Sequence, residues 1–254
     1  MQLSNEEILI FLIVAGFVAS FIDSVVGGGG LIMVPAFMLA GLPPVIVLGT
    51  NKVAGVMGSF TGALAFLRSG KADIELLKIL FPMSLIGSIF GVYTVQLLSP
   101  DFLRPLVVVM LVLVTLYSVL KKDWGIESTY QGMDNRKKML SVLAIFAFGF
   151  YDGFFGPGTG SFILFSFLCI GFDFIGAAAN ARILNFASNI SAALVFSYLG
   201  LVNFYYAIPV GIAMVFGALA GTHMALTKGA TYVKPLFLTV TTALIGKQIW
   251  DLLK

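Results

Sequence analysis

Uninterrupted apolar runs of membrane-crossing length dominate this 254-residue chain, at about 75–98, 102–120, 204–226 and 236–250. A helix needs roughly 17 to 25 such residues to cross about 30 Å of hydrocarbon, and in lipid the backbone has to satisfy its own hydrogen bonds. The expected fold is therefore an all-α polytopic membrane protein. Composition agrees, because 59% of residues are hydrophobic and only 11% charged, with a mean hydropathy of +1.03. The longest polar stretch, 121–138, is too short for a soluble domain, so residues 1–254 read as one transmembrane domain. The opening MQLSNEEILIFL carries Glu6 and Glu7 and no basic residue, unlike a cleaved signal peptide, so the first helix is expected to stay. Cys169 is the only cysteine, which rules out an intrachain disulfide, and it is expected to be a small buried apolar residue.

The chain matches itself. At an offset of 129 residues Phe21, Asp23, Gly27 and Gly29 align with Phe150, Asp152, Gly156 and Gly158. One further residue of offset aligns Lys52 with Arg182, Gly70 with Gly200, Gly87 with Gly217 and Gly91 with Gly221. Repeat 1 spans about 7–120 and repeat 2 about 139–252, joined by a linker at 121–138. Each repeat reads as five helical segments, in the first at about 7–26, 30–41, 44–67, 75–98 and 102–120. The second segment follows Gly27-Gly28-Gly29-Gly30 and is only about 18 Å long as a helix. It and its counterpart at 160–171 are candidate half-helices.

Loop charge gives an orientation, since cytoplasmic loops are enriched in Lys and Arg. The linker carries Lys121, Lys122, Arg136, Lys137 and Lys138, and the loop near Arg68, Lys71 and Lys78 is also basic, so both are expected inside. The counterpart of the latter, around Gly200 and Asn203, has no basic residue and is expected outside. Matching loops then face opposite sides, as in two inverted repeats with an odd number of passes each. The alternative is eight crossings, four plus four, with the short segments not crossing.

Two cations interrupt apolar helical stretches near mid-membrane, about 12 Å from the helix start: Lys52 in GTNKVAG and Arg182 in NARILN. At that depth each costs about 2.5 to 3.5 kcal/mol to insert and has to face a cavity or a partner. Neutral donors surround them, Thr50, Asn51 and Ser59 on one helix and Asn180, Asn185, Ser188, Asn189 and Ser191 on the other. Such a mixture suits an oxyanion. The rival reading is structural, with Lys52 paired to Asp23 and Arg182 to Asp152. Both aspartates precede glycine-rich breaks, GGGG and GPGTG, where they can cap exposed N–H groups or carry a coupled proton. The N–H groups of Gly28, Gly29, Gly158 and Thr159 would then point at an anion. A third reading has Asp23 and Asp152 coordinating a cation.

No Walker loop, GxGxxG unit, HExxH or GxSxG is present, which argues against nucleotide binding and hydrolytic chemistry. His223, the only histidine, cannot form a metal site by itself. Neither a cofactor nor nucleic acid is expected; the expected partners are a small anion and the lipid bilayer, with a second copy of the chain as a candidate through the Gly87-xxx-Gly91 and Gly217-xxx-Gly221 pairs. Those pairs serve packing within the chain equally well.

The segments GFVASFIDSVVGGGGLIMVPAFMLAGLPPVIVLGTNKVAG and GFYDGFFGPGTGSFILFSFLCIGFDFIGAAANARILNFASNISAALVF resemble the sulfite exporter TauE/SafE family, and the likeness extends over nearly the whole chain. The resemblance implies a carrier in the cytoplasmic membrane of a bacterium or archaeon, made by duplication, that moves sulfite or organosulfur anions. Arg182 stands where the family usually has lysine, which keeps the charge and replaces a point charge with a planar fork.

Overall fold

The computed structural model describes residues 4–97 and 127–229, together with Tyr232, Pro235 and Thr239. Among these residues every regular element is an α-helix: α1 Asn5–Val26, α2 Gly30–Leu39, α3 Pro44–Arg68, α4 Ile74–Val95, α5 Asn135–Phe154, α6 Thr159–Cys169, α7 Phe174–Tyr198 and α8 Phe204–Lys228. The expected fifth segments, 102–120 and, apart from Thr239, 236–250, lie outside the described residues.

Local chemistry sets the ends. Ser4 and Glu7 form a reciprocal capping box at α1. Asp73, Asp134, Asp173 and Asn203 each accept an N–H from the first turn of α4, α5, α7 and α8. Asp134 starts α5 at Asn135, four residues before the expected boundary, so Arg136, Lys137 and Lys138 lie on its first turn rather than in the linker. Cations there oppose the helix dipole by about 0.3–1 kcal/mol each.

α1, α4 and α8 are long and apolar enough to cross a membrane. Their outer faces carry exposed Ile10, Val14, Phe90, Tyr93, Phe216 and Leu219, as a lipid-facing surface requires. α3 and α7 are equally long but more polar, and α7 is buried along nearly its whole length at the centre. α2 and α6, of 10 and 11 residues, span about 15–17 Å and by length do not cross.

The halves interleave. α1 packs against α8, α4 against α5, and α3 against α7. A Cβ on Gly87 would fall 2.3 Å from the Phe146 carbonyl oxygen and one on Gly91 2.0 Å from that of Phe150. The aligned glycines repeat this contact across α1 and α8, Gly217 against Phe17 at 2.2 Å and Gly221 against Phe21 at 2.4 Å. The small-xxx-small pairs therefore pack helices within the chain.

α3 and α7 run antiparallel. Thr50, near the start of α3, accepts the Asn203 N–H beyond the end of α7 at 2.9 Å; Asn180, near the start of α7, accepts the Asp73 N–H beyond the end of α3 at 3.0 Å. α5 and α6 form a hairpin, because the Thr129 N–H donates to the Gly171 carbonyl at 2.8 Å and Tyr130 stacks on Phe172 with ring centroids 4.2 Å apart. In the first half, Leu12 of α1, Phe37 of α2 and Val47 of α3 share one core cluster, which closes the matching hairpin. Burial raises the Tyr130 phenol pKa above its ordinary value, and the Asp73 carboxylate adds to the rise. The basic α3–α4 loop, the end of the linker and the start of α7 thus meet at one end of the bundle. Cys169, expected to be buried, is exposed at the end of α6.

Candidate functional site

Both hairpins turn on glycine near the middle of the bundle. Gly27 and Gly28, with φ of 78° and 93°, separate α1 from α2, and Gly156 and Gly158, with φ of 96° and 89°, separate α5 from α6. These angles lie in the left-handed region that only glycine adopts without strain. Tyr151 shapes the second break by donating its hydroxyl to the Pro157 carbonyl at 2.7 Å. The breaks pack back to back, so a Cβ on Gly27 would lie 2.3 Å from the Ser161 nitrogen. The N-termini of α2 and α6, one from each half, are therefore brought together at the centre.

The four charges meet at these breaks in crossed pairs. Lys52 Nζ donates to Asp152 Oδ1 at 2.8 Å, with both side chains 2% exposed. Arg182 Nη1 donates to Asp23 Oδ2. The expected partners, Lys52 with Asp23 and Arg182 with Asp152, are thus exchanged. The reason is the back-to-back packing of the two glycine breaks, which sets each aspartate beside the other half's cation although each hairpin packs mainly on the central helix of its own half. The expected capping appears at Asp23, whose Oδ1 accepts the Gly29 N–H at 2.9 Å. Asp152 does not cap in this way. Its Oδ2, like Arg182 Nη2, is buried without a hydrogen-bond partner among the described residues.

A cavity of about 30 Å³ opens between the breaks, and by this measure about 10–15 Å³ is needed to hold a water. Its walls are Gly28, Gly29 and Gly30 at the α1–α2 break, Gly156, Gly158, Thr159 and Gly160 at the α5–α6 break, Asn51, Lys52 and Gly55 from α3, Asn185 and Asn189 from α7, Asp23, Asp152, and Met214 of α8. Arg182 lies behind Asp23, on a smaller cavity of about 10 Å³ also lined by Asn185 and Gly160. Lys52 and Arg182 consequently occupy neighbouring compartments rather than one. Asn189 spends its amide on the Asn185 carbonyl at 2.7 Å and leaves its oxygen toward Gly55. Thr50 and Asn180 are not on either cavity; they hold the Asn203 and Asp73 caps. Ser59, Ser188 and Ser191 bond back to their own helices.

Sequence reasoning did not assign Gly55, Gly156, Gly160 or Met214 to the site. Gly156 was signalled by its alignment with Gly27, and a Cβ there would lie 2.8 Å from Lys52 Nζ. Nothing in the sequence marks Met214.

No cluster of metal ligands occurs among the described residues. The site holds two cations, two carboxylates and two glycine-led helix N-termini in a buried cavity, which is apt for binding and release of a small charged solute. Apolar crossing helices around a polar, charged centre define the class: a polytopic membrane transporter. The chain belongs to the sulfite exporter TauE/SafE family, whose profile matches residues 12–247. It is 37% identical over 246 residues to the probable membrane transporter protein ORF9 of a Sinorhizobium species, covering 96% of this chain and 94% of the relative. It is 33% identical to the probable membrane transporter protein YfcA of Escherichia coli K12, covering 94% and 89%, and 32% identical to a probable membrane transporter protein of Haemophilus influenzae, covering 96% of each. No solved structure matches it.

Proposed function

We propose that this transporter is a secondary carrier of small sulfur-containing anions, such as sulfite or organosulfonates, in the cell membrane of a bacterium or archaeon. The observation that carries the reading is Lys52, buried at the wall of a central cavity faced by the N-termini of both short helices. Backbone N–H groups at a helix start and the positive end of its dipole favour an anion, and Lys52 supplies the full charge. The antiparallel α3 and α7 support an inverted relation of the two halves, and rocking of one against the other would expose the cavity to either side.

The test is thermal stability of the purified protein with sulfite, thiosulfate, sulfoacetate, taurine and chloride. A ligand that binds the native state at a hundred times its Kd stabilises by about 2.7 kcal/mol. The expected result is concentration-dependent stabilisation by a sulfur anion that Lys52→Ala abolishes; no shift with any of them refutes the assignment.

One observation favours a second reading, in which the charges only lock helices: both cations already hold carboxylates. Exchange of the observed pair, Lys52→Asp with Asp152→Lys, separates the two. A structural pair regains function on exchange, whereas an anion site that needs its cation on α3 does not. The same pairing weighs against Asp23 and Asp152 as ligands of a transported cation, since each carboxylate is already neutralised.

A further inference from the structure

Asp23 and Asp152 occupy matched positions in the two halves but unlike surroundings. Asp23 is satisfied at both oxygens, by the Gly29 N–H and by Arg182, and its side chain is 21% exposed. Asp152 is 2% exposed, holds Lys52 through Oδ1, and has no partner at Oδ2 among the described residues. Its ionised state therefore depends on one ammonium group, the same group that an incoming anion would take.

We propose that Asp152 is the proton-binding site of the carrier and that one proton travels with each anion; this rests on the reading of the cavity as an anion site. When the anion enters, Lys52 exchanges the Asp152 carboxylate for it. Asp152 is then a buried carboxylate beside a second negative charge with no cation of its own. Burial and a neighbouring like charge both favour the protonated acid, so Asp152 takes a proton from water and becomes neutral. On the opposite side the anion leaves, Asp152 returns its proton to water, and the carboxylate pairs again with Lys52. No bond other than O–H forms or breaks, and with a monoanion no net charge crosses.

The groups facing Asp152 assign the proton to it. Lys52 faces it from α3. Asp23 faces the same cavity from α1, where Arg182 of α7 and the Gly29 N–H hold both its oxygens. On its own helix, Tyr151 directs its hydroxyl to the Pro157 carbonyl. The short helices bring only glycine backbone and Thr159, and α8 brings Met214.

The experiment uses the full chain in proteoliposomes that enclose a pH-sensitive dye, with thiosulfate and isethionate as probes because neither carries a proton near neutral pH. Inward flux of labelled anion is expected to acidify the lumen by one proton per anion. Because one proton enters with each anion, apparent anion affinity is expected to fall about tenfold per pH unit over the range in which that uptake occurs. In Asp152→Asn the proton movement and the pH dependence of anion binding are expected to be lost, while Asp152→Glu keeps both. Anion flux by the wild type without lumenal acidification overturns the proposal, as does coupled flux that persists in Asp152→Asn. The wild-type measurement decides by itself if the Asn variant does not fold. Flux of neither probe, and none of sulfite, removes the carrier reading itself rather than the proton site alone.

Discussion

Lys52→Ala provides the sharpest test of the crossed pairing. Removing the ammonium leaves Asp152 2% exposed with neither oxygen hydrogen-bonded to a partner. Breaking a buried pair at one end costs about 3–5 kcal/mol, because the remaining charge stays desolvated. A chain of this size loses about 2–4 °C of melting temperature per kcal/mol, so a fall of about 6–20 °C is expected in detergent. A second change, Asp152→Asn, removes the stranded charge and should recover about 2 kcal/mol or more of that loss. Asp23→Asn should recover nothing, since it strands Arg182 instead. The assay is a double-mutant cycle on ligand-free protein by thermal unfolding. Rescue of Lys52→Ala by Asp23→Asn and not by Asp152→Asn would falsify the pairing and restore the within-half arrangement.

Other substitutions separate the cavity from its supports. Gly156→Ala combines a left-handed backbone, about 1–2 kcal/mol unfavourable for other residues, with a Cβ 2.8 Å from Lys52 Nζ; ligand-induced stabilisation should vanish in a thermal-shift titration. Thr50→Val and Asn180→Leu should each cost about 1 kcal/mol of stability through the lost bond to a cap, with anion affinity unchanged by the same titration. Gly91→Leu drives a side chain into the Phe150 carbonyl, already 2.0 Å from a bare Cβ, and should abolish monodisperse protein by size-exclusion chromatography. Gly41→Ala, with φ of 78° but nothing within 4 Å, should remain monodisperse and lose only the backbone strain.

Much of the fold was legible because its signals are local. Apolar length marked α4 and α8, the glycine runs marked where α2 and α6 begin, and helical spacing marked Gly87 with Gly91 and Gly217 with Gly221 as packing surfaces. Lys52 and Arg182 were legible as buried charges because few residues disrupt apolar helices so plainly. Their partners were not, since sequence proximity favours Asp23 for Lys52, and only the meeting of the two hairpins at Gly27 and Ser161 exchanges them. Thr50 and Asn180 have the composition of a site but face the ends of the bundle, a matter of helix rotation set by neighbours far along the chain. The start of α5 was misplaced because its three basic residues suggest a loop, while the Asp134 cap that overrides them is a single residue.

The interleaving of the halves also governs the order in which the molecule can be made. Phe17 meets Gly217 about 200 residues later in the chain, so at about 5–20 residues per second α1 waits about 10–40 s for its partner to leave the ribosome. Phe146 meets Gly87 after a gap of about 60 residues, within about 3–12 s. The first permanent contact between the halves is therefore α4 with α5. Asp23 stays without Arg182 until most of the chain has been synthesised, which leaves α1 dependent on lipid and insertion machinery until α8 arrives to close the bundle.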